Sequence, residues 1–200
     1  IEYFPNYLGS DLKSPARFYA KKVWVSSKYI KEAINRAFDN SIDVKSISLY
    51  MIKHDLALIE LDSNSNGETL EDTRGRSGYF YTTDEELLQS DSGIFDMEMA
   101  SYPGDKSNGS LWHEQCFIKK ESDNIALTSC DVYSGASGSA IIQYDEKYEE
   151  HYIKGVLSSN SENANYVNWF TQETYRAIQA VVKSLPEQQN YFKSYKTSMD

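Results

Sequence analysis

Residues 130–144 read CDVYSGASGSAIIQY, and both the fold and the chemistry that the sequence predicts depend on this stretch. Ser137 stands among glycines and small residues, directly before an apolar run that is typical of a buried strand. A serine hydroxyl is a poor nucleophile until a base takes its proton and N–H groups stabilise the oxyanion that its attack creates. Glycine lets the backbone turn so that such N–H groups converge, and the amides of Gly135 and Ser137 are the natural pair. A plain flexible turn is the other interpretation of the same letters.

The flanks of the Ser137 motif separate two kinds of serine hydrolase. The α/β-hydrolase elbow needs a glycine two residues after the serine and a helix behind it. Here Ser139 holds that position. The runs IALTSC before the motif and SAIIQY after it are both typical of strands. The sequence therefore favours a serine in a loop between two strands over the elbow.

Length, composition and charge restrict the class of protein. The 200 residues suffice for one large domain or two small lobes, and 40% hydrophobic with 14% aromatic residues is typical of a globular chain. The formal net charge of −10 argues against a nucleic-acid partner, because phosphate binding needs a basic surface. No apolar run approaches the roughly 20 residues that cross a bilayer, so we expect no membrane partner. The sequence has no metal-ligand spacing and no phosphate-binding loop, so it predicts no cofactor.

Cys116 and Cys130 are the only cysteines, and a β-prone run lies on each side of the turn at 122–124 that separates them. A hairpin centred on Asp123 places the two cysteines opposite each other, within disulfide distance. A disulfide predicts a secreted or periplasmic protein, since such bonds persist in oxidising compartments. Two buried free thiols are the alternative. The chain shows no signal peptide, which fits a cytosolic protein or, as we expect, an already processed one.

Short β-type runs dominate the chain, and Gly, Asn, Asp and Ser punctuate them. They are KKVWV, VKSISLYMI, DLALIEL, FDMEMASY, QCFI, IALTSC, SAIIQY and YIKGVLS. Many short strands with such turns predict an all-β antiparallel sandwich or barrel. Two helical stripes interrupt them, at residues 27–38 and 171–185, and Pro186 stops the second. The polar stretch 62–93 is typical of a long connection between two β lobes.

Five motifs follow one another along the chain. They are the acid-headed strand His54–Leu61, the run SYPGDK at 101–106, the pair Cys130–Asp131, the motif Gly135–Ser139 and the run GVLSS at 155–159. In this order they resemble the chymotrypsin-fold serine peptidases, and within them the glutamyl-endopeptidase-like branch. The resemblance covers residues 95–180 well and residues 20–61 more loosely. It implies an all-β, chymotrypsin-like double antiparallel β-barrel with a C-terminal helix, of which the N-terminal barrel is incomplete.

The resemblance implies a role for each matching residue. Ser137 matches the nucleophile, and Asp55 matches the acid that orients a catalytic histidine. The other matches are the oxyanion-hole amides of Gly135 and Ser137, Ser158 beside the acid, and the edge strand Ser158, Ser159 and Asn160 that pairs with the backbone of a protein or peptide substrate. The implied segments are the remainder of an N-terminal barrel in 1–75, a C-terminal barrel with its helix in 76–186, and a tail in 187–200.

The histidine that this chemistry requires has no counterpart at the family's position upstream of the acid. The sequence has three histidines, His54, His113 and His151. His54 directly precedes Asp55, and adjacent strand residues point to opposite faces, so we expect its side chain to point away from the acid's site. The other two lie outside the family position. None of the three is therefore predicted to be the base.

Three explanations for the missing histidine stay open. The chain is the larger part of a two-chain peptidase whose N-terminal light chain supplies the histidine, or it is an inactive homologue that binds proteins, or the sequence is incomplete. The opening IEYFPNYLGS resembles the region that follows the histidine in this branch. A barrel of this fold closes with about six strands, whereas residues 1–61 offer roughly three or four. An open apolar barrel edge favours a companion segment, so we expect the two-chain enzyme.

The primary specificity and the activation of the enzyme follow from two further positions. Asp131, six residues before Ser137, matches the acid that selects Arg or Lys in trypsin-like relatives, because a buried carboxylate attracts a cationic side chain. The glutamate-selective members have a histidine near the position of Leu157, which is absent here, so we expect cleavage after Arg or Lys. A trypsinogen-style zymogen switch at Ile1 is not expected, because its partner would be an aspartate at the position of Ala136.

Overall fold

The computed structural model describes residues 2–3, 17–39, 48–90, 92–107, 110–161, 164–186 and 188–197, and every structural statement below concerns those residues. The strands are β1 (Glu2–Tyr3), β2 (Phe18–Ser26), β3 (Ala57–Leu61), β4 (Gly78–Tyr79), β5 (Ile94–Ser101), β6 (Trp112–Ser122), β7 (Ile125–Thr128), β8 (Ala140–Asp145), β9 (Glu150–Ser161), β10 (Ala164–Trp169) and β11 (Phe192–Lys196). The helices are α1 (Ser27–Phe38), α2 (Leu49–Ile52), α3 (Leu70–Arg74), α4 (Asp84–Gln89), α5 (Gln172–Val182) and α6 (Gln188–Tyr191).

Six strands close into an antiparallel barrel. Each pairs with two neighbours in the order β5, β6, β7, β10, β9, β8 and back to β5. Every second side chain of a strand enters the interior, as Phe95, Met97 and Met99 of β5 do. The prediction of a mostly β chain with a closed barrel and a C-terminal helix is confirmed. This barrel is compatible with one half of a chymotrypsin-like fold.

The barrel interior holds a continuous apolar core. Its buried members are Phe95, Met97, Met99, Cys116, Ile118, Ala126, Cys130, Ala136, Ile141, Leu157, Val167 and Trp169. Full burial of a large apolar side chain stabilises a fold by about 1.5–3 kcal/mol. Ala136 belongs to this core although it lies in a loop, and its methyl group is fully buried. The core therefore fixes the backbone directly before Ser137.

Gly155 lies where the barrel closes. It pairs with Ile141 of β8 on one side and with Trp169 of β10 on the other. A Cβ atom added here would lie 2.6 Å from the carbonyl oxygen of Asn168 and 2.8 Å from a methyl carbon of Val167. Only glycine permits strands β9 and β10 to approach so closely at this point.

β2 lies at the centre of a second, four-stranded sheet. It pairs antiparallel with β1, β3 and β11. In the residues that the structure describes, this sheet is open and does not form a second barrel. It is joined to the first barrel by an apolar cluster of buried residues, namely Trp24, Leu56, Phe170, Ala177, Ile178 and Phe192.

One expected strand of the N-terminal half is a helix in the structure. The predicted helix at 27–38 is α1, capped by Ser26. The β-type run VKSISLYMI is helical over α2, because the Ser48 hydroxyl accepts the Met51 N–H at 3.2 Å and so starts a helical turn. Residues 44–47 lie outside the described part of the chain.

The C-terminal helix is α5, and it ends earlier than the expected span of 171–185. Ser184 has a left-handed backbone with φ of 54°, and the N–H of Leu185 donates to the carbonyl of Ala180 at 2.8 Å. This left-handed turn ends the helix before Pro186 is reached. Among the residues that the structure describes, no helix has both the length and the apolar character to cross a membrane.

The tail predicted at 187–200 contains α6 and β11. Phe192 is buried to 1% exposure, whereas the remaining side chains of β11 are exposed. The sequence of β11 has no periodic pattern of hydrophobic residues. The strand is held instead by backbone pairing with β2 and by the buried Phe192 side chain. Residues 192–196 of the tail therefore form a strand of the sheet around β2.

The connection at 62–93 carries short elements of its own. β4 pairs in parallel with β9, and α4 begins with a capping box between Thr83 and Glu86. Glu86 also accepts a bond of 2.7 Å from Lys154, whose side chain is 3% exposed. This buried ion pair ties the connection to the barrel wall, since an unpaired buried charge would be strongly destabilising.

The predicted disulfide between Cys116 and Cys130 is present, with a Cα–Cα distance of 5.1 Å. Strands β6 and β7 pair in the expected register, in which Ile118 faces Thr128. Continuing this register places the two cysteines opposite each other. The alternative of two free thiols is therefore excluded.

Replacing both cysteines by alanine should lower the free energy of unfolding by about 3 kcal/mol, because the bond closes a loop of 14 residues in the unfolded chain. Urea denaturation of the oxidised wild type and of the Cys116→Ala/Cys130→Ala variant measures this difference. A reducing agent should destabilise only the wild type. Equal effects of the reductant on both proteins would contradict the assignment.

Candidate active site

Ser137 lies in an exposed loop between β7 and β8. Two left-handed glycines shape the loop, with φ of 97° at Gly135 and 89° at Gly138. A side chain at Gly135 would meet the carbonyl oxygen of Tyr102 at 2.8 Å. Because Ala136 is anchored in the core, the loop presents Ser137 to solvent from a fixed backbone.

The backbone amides of this loop fall into two groups. Three have acceptors, in that Ala136 donates to Tyr133, Gly138 to Leu157 and Ser139 to Ala136, at 2.8 to 3.1 Å. The N–H groups of Gly135 and Ser137 donate to no acceptor in the described part of the chain. The two amides that the sequence assigns to an oxyanion hole are thus free to bind a ligand oxygen.

Asp55 lies in the turn between α2 and β3, and its carboxylate is bound by Ser158. The Ser158 hydroxyl donates to Asp55 Oδ2 at 2.6 Å. Burial raises the pKa of Asp55 above its usual value, and the Ser158 bond only partly offsets this. Among the described residues, the carboxylate is thus held in place by a neutral donor, without a cation that would favour its ionised form.

A single strand, β9, links Asp55 to the Ser137 loop. The N–H of Leu157 donates to the Ser139 carbonyl at 2.9 Å, and the Leu157 carbonyl accepts the Gly138 N–H at 2.8 Å. The next residue of β9 is Ser158, which holds Asp55. Neighbouring residues of one strand therefore fix the acid and the loop of the serine.

A cavity of about 850 Å³ opens between the barrel and the four-stranded sheet around β2, which we call the N-terminal sheet. Leu56 and Gly138 both line it, and they directly follow Asp55 and Ser137 in the chain. Its walls are otherwise largely apolar, with Trp24, Leu58, Ile153, Val156, Phe170 and Val181 among them. The cavity therefore extends from Leu56, next to Asp55, to Gly138, next to Ser137.

No hydrogen bond or ring contact joins any of the three histidines to Asp55 or Ser137 in the described part of the chain. His113 contacts Glu98 at 3.1 Å, and the His151 ring packs against Tyr144. His54 is buried, its ring lies 4.9 Å from that of Tyr50, and its Nδ1 has no hydrogen-bond partner among the described residues. Burial lowers the pKa of His54, and the charge of nearby Lys28 lowers it further.

The predicted specificity residue Asp131 is exposed rather than enclosed in a pocket. Its backbone N–H donates to the Glu114 carboxylate at 3.0 Å. The reasoning from a buried carboxylate therefore does not apply in this structure. Asp131 and the Glu114 carboxylate bound to its N–H nevertheless place negative charge next to Cys130. A preference for substrates with basic side chains therefore stays a prediction.

The predicted substrate strand is the end of β9. Pairing with β8 stops at Val156, whereas Ser159 and Asn160 pair only with β10. Beyond Leu157 the β8 side of β9 therefore has no strand partner among the described residues. This free edge has the geometry to accept an extended peptide.

Two contacts around Asp55 were not predicted from the sequence. The buried Asn168 side chain donates to the Ile52 carbonyl at 3.0 Å and so ties the barrel to the turn that carries Asp55. Tyr29 of α1 lies near the carboxylate, and burial and the charge of Asp55 together raise its pKa. Sequence alone gives no signal for either, because both contacts join distant segments.

No group of three or more metal-ligating side chains lies together in the described residues. Comparison with known protein families finds no match, and no curated protein matches the chain.

Replacing Asp55 by asparagine should leave the free energy of unfolding at pH 7.5 unchanged or raise it. The folded pKa of Asp55 lies above the unfolded value, so ionisation costs the folded state stability as the pH rises through that window and at every higher pH. Urea denaturation at pH 7.5 and pH 4 measures the difference between Asp55→Asn and the wild type, which should shrink at the lower pH.

Asp72→Asn is a control for which we expect the opposite change in the free energy of unfolding. Hydrogen bonds from Thr69 lower its pKa, so Asp72→Asn should destabilise the chain at pH 7.5. A clear loss of stability at pH 7.5 in Asp55→Asn would show instead that the ionised Asp55 carboxylate stabilises the fold.

Proposed function

We propose that this chain is the larger part of a serine endopeptidase of the chymotrypsin-like type. In this proposal Ser137 is the nucleophile, Asp55 is the acid of the triad, and a segment outside these 200 residues, on this or on a second polypeptide, supplies the histidine between them. The observation that carries the proposal is the arrangement around β9, in which Leu157 binds the Ser137 loop and Ser158 binds Asp55.

The proposed chemistry is peptide hydrolysis through an acyl-enzyme. Ser137 Oγ attacks the scissile carbonyl carbon while the imidazole takes its proton. The oxyanion accepts hydrogen bonds from the N–H groups of Gly135 and Ser137, which have no other acceptor among the described residues. The imidazolium protonates the leaving amine, and a water molecule, deprotonated by the same imidazole, then releases the acyl group. Asp55 orients the imidazole and stabilises its positive charge.

The cavity between Leu56 and Gly138 supports a histidine from a companion segment. It is large enough for an extended segment with several side chains, and its apolar walls are suited to cover such a segment. β3 also has an unpaired edge, because among the described strands it pairs only with β2. A strand added to that edge begins or ends beside Asp55 and so brings a side chain to the acid.

The raised pKa of Asp55 favours the same partner. A half-buried carboxylate bound only by a hydroxyl is in an unfavourable state when it is ionised. An imidazolium placed against it supplies the missing cation. The disulfide is compatible with an extracellular or periplasmic setting, in which we propose that the enzyme acts.

A second candidate is an inactive homologue that binds proteins. It is favoured by the positions of His54, His113 and His151, none of which contacts the Asp55 carboxylate or the Ser137 hydroxyl. In that case the same cavity binds a partner segment that carries no catalytic base.

The protein isolated from its natural source should carry a histidine-containing segment beyond these 200 residues, in the same chain or as a bound second polypeptide, seen as a native mass above their 22.9 kDa. A fluorophosphonate probe should label this complex at Ser137. Ser137→Ala should abolish labelling, and Asp55→Asn should slow peptide hydrolysis by about 10⁴-fold.

Ser134→Ala is the matched control, because Ser134 lies in the same exposed loop and contributes its carbonyl rather than its hydroxyl. It should label at the wild-type rate. A native complex with a bound partner but no labelling of Ser137 would establish the binding protein instead, and a chain without any partner or labelling would exclude both.

Substrate preference has its own test. Fluorogenic peptides that differ only in the residue before the scissile bond should be cleaved faster with Arg or Lys than with Glu or Phe. Asp131→Asn should reduce that preference, whereas Asp123→Asn, an exposed hairpin acid, should not. A preference for Glu or Phe in the wild type would contradict the proposed role of Asp131.

A further inference from the structure

We infer that the loop at 102–106 sets the direction of the Gly135 N–H, so that Gly104 and Lys106 are positioning residues of the proposed oxyanion hole. The inference rests on the proposed function. It names the residues that orient one N–H donor of the proposed oxyanion hole. It concerns the peptide group between Ser134 and Gly135.

This peptide group is fixed by one short hydrogen bond. The Gly104 N–H donates to the Ser134 carbonyl oxygen at 2.6 Å. In a trans peptide the carbonyl and the following N–H point to opposite sides of the plane. The bond therefore directs the Gly135 N–H away from Gly104, and in the proposed site this donor faces the oxyanion.

The opposite orientation of the same peptide would destroy the site. If the plane turned over, the Ser134 carbonyl would replace the Gly135 N–H and present an acceptor to the developing oxyanion. An acceptor there repels negative charge, whereas a donor stabilises it. The bond to Gly104 selects the favourable orientation before any substrate arrives.

Two glycines allow the loops to meet backbone to backbone. A Cβ on Gly104 would lie 2.8 Å from the Ser134 oxygen, and a Cβ on Gly135 would lie 2.8 Å from the Tyr102 oxygen. Real Cβ atoms do not approach backbone oxygens so closely, so either substitution must push the loops apart. Such a shift lengthens or breaks the bond that orients the peptide.

Lys106 holds the other end of the contact. Its ammonium lies 3.0 Å from Asp105, 4.6 Å from the centre of the Trp112 ring and 5.6 Å from that of Tyr133. Tyr133 begins the Ser137 loop, since its carbonyl accepts the Ala136 N–H. The cation over these two rings therefore clamps the loop at 102–106 against the loop of the serine.

The direct test is the structure of the Gly104→Ala variant, which needs no activity. We expect the Ser134–Gly135 peptide to turn, with the Gly135 N–H no longer on the side of Ser137. Gly93→Ala is the control for replacing a glycine without a backbone clash, because a Cβ at Gly93, which has a φ of 71°, meets only a side-chain carbon at 3.9 Å. A Gly104→Ala structure with an unturned peptide would overturn the inference.

The kinetic test uses the native complex. Gly104→Ala should lower kcat for peptide hydrolysis by about 10²-fold with KM within about two-fold, because only oxyanion stabilisation is lost. Binding of a peptide boronic acid, which forms a tetrahedral adduct, should weaken by the same factor, while binding of the product peptide should not change. Gly93→Ala should leave both quantities unchanged.

Lys106 is tested by a conservative pair of variants. Lys106→Met should lower kcat by about three-fold through loss of the cation over the rings, and Lys106→Arg should restore it. Equal kcat values in wild type, Gly104→Ala and Lys106→Met would refute the clamp while leaving the peptidase intact. A wild-type complex that is never labelled at Ser137 would refute the peptidase itself, and the Gly104→Ala structure would still decide the peptide orientation.

Discussion

The structure depends on the pairing of β9, because that one strand holds the barrel, the acid and the serine loop in register. Gly155 lets it approach β10 closely enough to close the barrel. Two residues later, Leu157 binds the serine loop through its backbone, and Ser158 binds Asp55 through its side chain. Since consecutive strand residues point to opposite faces, one short segment serves the core and the site without conflict.

Much of the barrel was predictable from the sequence because its signals are local. Short β-type runs marked the strands, and the turn around Asp123 predicted the register that brings Cys116 to Cys130. Elements whose structure depends on a specific contact rather than on a repeating pattern could not be predicted. Phe192 anchors β11 without any periodic pattern, and α2 forms in a β-type run because Ser48 caps it.

The candidate site shows the same division. The types and order of Asp55, Gly135 and Ser137 could be read from the motifs, whereas the contacts that hold them could not. Asn168 reaches the turn of Asp55 from another strand, and Gly104 reaches the serine loop from a loop that comes earlier in the chain. Asp131 is exposed, so the burial that its expected role assumes is not seen at this position.

The pairing of β2 with β11 has a consequence for how the chain reaches its final form. β2 belongs to the first part of the polypeptide, and its partner is among the last residues that the structure describes. All six barrel strands lie between them and make contacts with nearer neighbours, so their loops close at a smaller entropic cost. During synthesis the barrel can therefore assemble while β2 still lacks β11. The sheet around β2, which carries one wall of the cavity beside Asp55, is then completed after the barrel.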